Sequence, residues 1–432
     1  MNTNISELEP RKLWYYFDKI SSIPRISKHE KEVVRYIQSE AKRLLLDYAI
    51  DTIGNIIIRK PATKGFEDIQ TVILQAHVDM VPQKTPDSIH NFLTDAIELN
   101  VNNGWIHASN TTLGADNGIG VAAILAILAD NDIEHGAIEA LFTVEEEIGM
   151  GGVFALQHDA LKGTIMINTD SEEEQEIIIG CAGGIDISIE IDYKPETLPY
   201  KNMRAYSISI DGLQGGHSGI DISLGRGNAI ELLWELLNHS VQTNNIFLHS
   251  FNAGTMRNAI PRDAQAVIIV PYNYKEIIKA LVRRFNALIT ERYLDIEDEI
   301  DLRIEETELP TTLIPKETGK KIFKIIDCIP KNVLCFDKEL SSTPETSNNI
   351  SIIQTTEHKT TIHCLLRSSD EAKKNSVAES IKTICESIGA VVTLSGSYPG
   401  WKPNYNSEIL KITQNIYTEY YKQKPHDAAL PR

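Results

Sequence analysis

Short apolar runs alternate with longer amphipathic stretches along this chain, and polar residues gather where the apolar runs stop. Val72-Ile73-Leu74 reads as a buried strand that runs directly into His77 and Asp79. Ala137–Val144 is a second such strand, with Glu145, Glu146 and Glu147 at its end, and Thr164–Asn168 is a third, ending at Asp170. Between them Val121–Leu128 is apolar all round and predicts a buried helix, and Asp116 stands just before it in Gly114-Ala115-Asp116-Asn117-Gly118. Upstream, Ser27-Lys28-His29-Glu30 has the form of a capping box and predicts a helix to about Leu45. Tyr48–Lys60 carries two β-like runs around Gly54-Asn55, a hairpin signal. The stretch from the first strand to Gly114 reads as a polar loop. Strands alternating with helices predict an α/β fold, a catalytic sheet covered by helices on both faces.

The patterning changes near Gly180–Gly184 to an α+β alternation. Helices are predicted at Asn228–Gln242, Lys275–Leu294, Lys316–Ile329 and Asp370–Ile388, and strands at Tyr206–Ile210, Ala264–Val270, Thr361–Leu366 and Val391–Ser395. This predicts a first domain at 1–184, an α+β lid domain inserted at 185–396, and a return to the first domain at 397–432 through a helix at Ser407–Lys422.

Composition narrows the function classes. With 432 residues, 42% hydrophobic and 24% charged, the chain is globular and long enough for two or three domains. The net charge of −18 argues against nucleic acid or an anionic membrane as partner. No run approaches a membrane span, and the N-terminal MNTNISELEPRK has no signal-like apolar core. The five cysteines, Cys181, Cys328, Cys335, Cys364 and Cys385, are scattered without a C-x-x-C pair, as expected of thiols in a reducing, cytoplasmic setting.

His77 and Asp79, two apart on an extended chain, point to one side at the C-terminal end of a strand, where open α/β sheets place their ligands. Asp116, Glu146, Glu147 and Asp170 each follow or precede an apolar run in the same way. Singly, each is more often a cap or a solvated charge. Together, an imidazole with several carboxylates suits zinc, manganese or cobalt better than calcium or magnesium. Paired ions of that kind polarise a carbonyl and activate water, with a free glutamate as general base.

QAHVDMVPQ, TLGADNGIG, FTVEEEIGMGG and INTDSEE resemble the successive metal-site motifs of the co-catalytic zinc peptidases, which include carboxypeptidase G, aminoacylase and the dipeptidases. Within that group the chain is most similar to the aminoacyl-histidine (cytosolic non-specific) dipeptidases, over nearly its whole length. The resemblance implies two zinc ions per site, with manganese or cobalt as alternatives. His77, Asp116 and Asp170 would hold one ion, Asp116 would bridge, and Glu147 would hold the other. Asp79 would orient His77, and Glu146 would be the general base. The glutamate run allows two registers, and the family pattern selects Glu146 and Glu147 because Ile148-Gly149 follows. In the inserted domain, Gly215-Gly216-His217-Ser218-Gly219 resembles the motif whose histidine stabilises the oxyanion. Asn258, in Arg257-Asn258-Ala259-Ile260-Pro261, resembles a substrate-holding residue, and Arg367 is placed to bind a C-terminal carboxylate. Ser341–Asn349 resembles the family's E-T-S-x-N loop.

The implied activity is metal-dependent hydrolysis of dipeptides, Xaa-His among them, by a protein that acts on small peptides and forms a homodimer through the lid. In one respect the chain departs from the family. No segment resembles the H-A-G-L-E-C-G stretch that supplies the second ion's histidine, and the chain reads as stopping after the helix before that strand. His426 is the only histidine in the tail. A second ion held by Asp116 and Glu147 alone would bind more weakly. Two alternatives therefore stand beside the dipeptidase: a metal-binding or interaction protein of the same fold without turnover, and an amidohydrolase for N-acyl amino acids.

Overall fold

The computed structural model describes residues 5–199, 201–243 and 246–430, and the chain divides into two compact units, Met1–Glu174 and Gln175–Arg432. The first unit opens with helices α1 (Arg11–Ser21) and α2 (Lys31–Arg43) and the hairpin β1 (Asp47–Ile50) and β2 (Ile56–Lys60). There follow β3 (Val72–His77), a second hairpin of β4 (Leu99–Asn102) and β5 (Trp105–Ala108), helix α3 (Ala115–Leu128), β6 (Ile138–Thr143), α4 (Gly151–Ala155) and β7 (Ile165–Asn168). The sheet order is β1-β2-β6-β3-β7, with β6, β3 and β7 mutually parallel and β1 and β2 antiparallel additions at one edge.

Alternation along the strands divides the core. Ile56, Ile58, Leu74, Ala76, Ala140 and Phe142 pack with residues of α1, α2 and α3, including Phe17, Ile20, Val33, Ile37, Val121 and Leu125. Ile57, Ile73 and Leu141 point the other way, against Leu156, Ala160 and Leu161. Both faces are covered, which is why β6 is buried at every position.

Two local expectations change. The stretch before Gly114 is no plain loop: Asn103 and Gly104 take φ of 50° and 82°, the left-handed pair that a tight hairpin needs, and join β4 to β5. Ser27 caps nothing. Helix α2 begins four residues later with Glu30 at its N-cap and no side-chain cap bond, because Ser27 Oγ donates instead to Asp79 Oδ2 at 2.8 Å.

In the second unit the strands Asp301–Thr307, Met203–Asp211, Ala264–Pro271, Phe247–Ala253, Pro344–Thr355, Lys359–Ser368, Gly183–Asp192 and Val391–Tyr398 form one antiparallel sheet in that order, and Asn332–Phe336 adds to Pro344–Thr355. The helices Ala229–Gln242, Lys275–Arg292, Lys316–Cys328 and Glu371–Ser387 share one large apolar core with this sheet. The segment resembling a loop, Ser341–Asn349, is mostly strand. From Glu345 to Asn349 its polar residues are buried, and both asparagine amides donate to carbonyls: Asn349 Nδ2 to Ala259 O at 2.8 Å and Asn348 Nδ2 to Pro330 O at 2.7 Å. The tail also carries a strand after its helix Glu408–Tyr421. His426–Leu430 runs parallel to Glu176–Cys181, so His426 opens a strand of the second unit.

Candidate active site

Parallel pairing decides where the chemistry collects. His77 ends β3 opposite Thr143 of β6, and Gln75 of β3 pairs with Asn168 of β7. The glutamates after β6 and Asp170 after β7 therefore emerge at the same C-terminal sheet edge as His77. Helix α3 packs on β3 and brings Asp116 in its first turn, where Asp116 and Asn117 leave helical angles and are joined by a cis peptide bond.

The result is a cluster of ligand-type atoms. His77 Nε2 lies 2.9 Å from Asp116 Oδ1 and 3.3 Å from Asp170 Oδ1. Potential ligand atoms of His77, Asp116 and Asp170 all fall within 4.8 Å of one another, and so do those of His77, Glu146 and Glu147. Behind the cluster, His77 Nδ1 donates to Asp79 O at 3.2 Å, with Asp79 Oδ1 at 3.4 Å, which turns Nε2 toward the carboxylates. Asp79, fully buried, accepts from Ser27 Oγ and from the backbone N–H groups of Glu146 and Glu147, each of the latter at 3.1 Å. One carboxylate thus fixes both the imidazole and the glutamate turn. Asn117 Nδ2 holds Asp170 Oδ1 at 2.7 Å, and Glu30 Oε1 accepts from Glu145 N at 3.1 Å.

Crowding of like charges sets the electrostatics. Burial, then the neighbouring Asp116, pushes Glu147 up to about 7. Burial also raises Glu146, and burial with Asp170 raises Asp116. Burial pulls the His77 imidazole down, but its bonds to Asp170 and Asp79 outweigh that and push it up to about 11. Asp79 is lowered despite burial by His77, Ser27 and the two backbone donors. An imidazole against four carboxylates, oriented from behind by a buried carboxylate, is the donor set of a first-row divalent metal, and the residues fit such an ion.

Sequence reasoning missed a cation here. The Arg25 guanidinium is buried, donating from Nη1 to Val78 O at 2.9 Å and Asp79 O at 3.0 Å, and from Nη2 to Gly114 O. Burial draws it down to about 10, with Asp79, Asp116 and Glu147 opposing the shift. Carbonyl acceptors leave no signature in a sequence, so nothing flagged it.

The remaining candidates lie in the second unit. His217 sits on the two-residue strand Gly216–His217, paired with Ala259–Ile260, and Ser218 N donates to Asn258 O at 2.8 Å, so the His217 and Asn258 segments are neighbours. His217 Nδ1 accepts from Gly219 N at 3.2 Å and Ile220 N at 3.1 Å, which leaves the proton on Nε2. Arg367, buried in Lys359–Ser368, donates from Nη1 to the Tyr398 hydroxyl at 3.0 Å, while its Nε–H has no partner among the described residues. Arg257 binds both Asp186 oxygens, at 2.9 and 2.7 Å.

Residues 73–431 match the model of peptidase family M20/M25/M40. The chain is 38% identical to the cytosol non-specific dipeptidase of Escherichia coli (strain K12) over 424 residues, 98% of this chain and 87% of that protein. It superposes on the aminoacylhistidine dipeptidase from Vibrio alginolyticus with a TM-score of 0.95 and 39% identity, covering 99% of this chain and 87% of the other. A tripeptidase from Staphylococcus aureus shares the fold at a TM-score of 0.53 and 15% identity, over 98% of this chain and 84% of that one.

Proposed function

The chain belongs to peptidase family M20/M25/M40, and we propose that it cleaves unsubstituted dipeptides, those with histidine in second place among them, at the His77 centre. That it is a metal-dependent dipeptidase follows from the family and from the dipeptidases it matches over nearly its full length. The observation that carries the mechanism is the pair of ligand groups that share His77.

We assign His77, Asp116 and Asp170 to one metal ion; on the strength of the sequence motifs, Asp116 and Glu147 would hold a second, with zinc as the ion and manganese or cobalt as alternatives. Ions held there supply Lewis-acid polarisation of the scissile carbonyl and a water of lowered pKa. Glu146 takes the attacking water's proton and returns it to the leaving amine, so one water is added across the C–N bond and an amino acid departs from each side. Asp79 keeps His77 in its Nδ1–H form throughout, through the bond to its carbonyl.

For the second unit we assign three roles on the strength of its motifs. His217, with its proton on Nε2, donates to the carbonyl oxygen as negative charge builds there. Arg367 binds the substrate's C-terminal carboxylate and so limits length, and Asn258 helps hold the substrate. The catalytic domain of this reading is 1–184 with 397–432, the lid is 185–396, and the lid is the surface for a homodimer. Among the described residues no helix is long and apolar enough to cross a membrane. The cytosolic relative favours a cytoplasmic location.

The test is parallel hydrolysis of β-alanyl-histidine, α-dipeptides, a dipeptide amide and N-acetyl amino acids with added zinc or manganese. Turnover of the free dipeptides, with the amide and acetyl compounds poor, is the expected result. Preference for N-acetyl amino acids would make the chain an amidohydrolase. Metal binding without turnover would make it an inactive relative.

A further inference from the structure

Arg25 occupies a place that the sequence motifs of the metal centre leave unexplained. Its guanidinium lies between the two turns that carry ligands from different elements. Nη1 donates to the carbonyls of Val78 and Asp79, the residues directly after His77, and Nη2 donates to the carbonyl of Gly114, two residues before Asp116. The Asp79 carbonyl is shared: it also accepts from His77 Nδ1 at 3.2 Å. Arg25 therefore holds the very oxygen that sets the imidazole's tautomer and direction.

The glycines of TLGADNGIG fit around this side chain. A Cβ built on Gly114 would stand 2.6 Å from Arg25 Nη2, and one built on Gly118 would stand 2.6 Å from the same atom and 3.4 Å from Cζ. Gly114 also takes φ of 67°. Two glycines of the ligand-bearing segment thus clear the space that a buried guanidinium fills. A buried charge is costly unless its donors are met, and here the two terminal nitrogens meet three carbonyls on two turns, while Nε–H has no partner among the described residues.

We propose that Arg25 is a positioning residue of the metal centre, which fixes the His77–Asp79 and Gly114–Asp116 turns against each other so that His77 and Asp116 face a common ion. The proposal rests on the reading of the cluster as a metal site.

Charge and geometry predict opposite signs, which makes the idea testable. As a bare positive charge beside a cation site, Arg25 would repel the ion, and its removal would tighten binding. As a clamp, its removal loosens the ligands, and changes to groups that orient ligands typically weaken metal binding about 10–100-fold. The experiment is calorimetric titration of the full chain with Zn²⁺ or Mn²⁺ for wild type, Arg25→Met and Arg25→Lys, together with visible spectra of the Co²⁺-loaded proteins. Binding in wild type, weakened about 10–100-fold in Arg25→Met with altered Co²⁺ bands and partly recovered in Arg25→Lys, supports the clamp. Equal or tighter binding by folded Arg25→Met overturns it. Should Arg25→Met not fold, Gly118→Ala keeps the charge and crowds the guanidinium: weaker metal binding supports the clamp, and wild-type affinity with unchanged bands overturns it. Failure of wild type itself to bind metal would instead overturn the metal-site reading.

Discussion

Two buried guanidiniums, one in each unit, have opposite surroundings. Arg25 is 1% exposed, gives three hydrogen bonds to carbonyls, and has the carboxylates of Asp79, Asp116 and Glu147 in its field. Arg367 is 4% exposed, bonds to a single neutral hydroxyl, and has a second arginine, Arg257, working against its charge. Desolvating a charge without matched partners is unfavourable, so a chain retains such a group where something else completes it. Both terminal nitrogens of Arg25 are met by backbone carbonyls, with its Nε–H unpartnered among the described residues, and the side chain serves geometry. Arg367 is short of acceptors and is suited to an anionic ligand, which in the proposed reaction is the substrate carboxylate. Both leave Nε–H unpartnered among the described residues, so the lesson is to read a buried arginine by what its terminal nitrogens meet.

The comparison can be broken from either side. The largest effect is expected at His77, which both ligand groups share. His77→Ala should lose metal and reduce dipeptide turnover to the buffer background, as read by metal analysis and a ninhydrin or coupled assay. Retained metal and rate would remove the first unit from the chemistry.

Next is Arg367→Met. Loss of a hydrogen-bonded charge contact costs about 1.5–3 kcal/mol, or about 10–100-fold, and here it should fall mainly on KM for free dipeptides. The variant should also cease to distinguish a dipeptide from its C-terminal amide. An unchanged acid-to-amide preference would place the carboxylate elsewhere.

The smallest change is Ser27→Ala, which removes one donor from Asp79. A single hydrogen bond is worth about 0.5–1.5 kcal/mol, so metal affinity should fall about tenfold or less, with the helicity of α2 intact by circular dichroism. Melting of α2 with metal affinity unchanged would restore Ser27 as a helix cap.

The cluster of candidate ligands was legible because strand alternation and parallel pairing turn sequence order into one sheet edge. An apolar run followed by His77, Glu146-Glu147 or Asp170 could be placed without any contact information. The hairpin β1–β2 and the buried helix α3 were legible for the same reason, since local pattern and burial agree. What escaped had partners that no pattern encodes. Arg25 bonds only to carbonyls. Ser27 and Glu30 have the spacing of a capping box, yet tertiary partners, Asp79 and Glu145 N, claim their side chains. Pro344–Thr355 is buried while polar, with Thr346 Oγ1 facing Ser368 Oγ at 2.9 Å, so hydrophobic periodicity was silent there. The Asn103-Gly104 turn does carry a local hairpin signal, set within a polar stretch.

The most direct test of the central claim is Glu146→Gln beside wild type, with metal content and dipeptide hydrolysis measured on the same samples. Equal metal in both, with turnover lowered about 10²–10⁴-fold in the variant, is the predicted result for a general base next to an intact centre. Equal metal with equal turnover would contradict it, and the proton would have to move through another group.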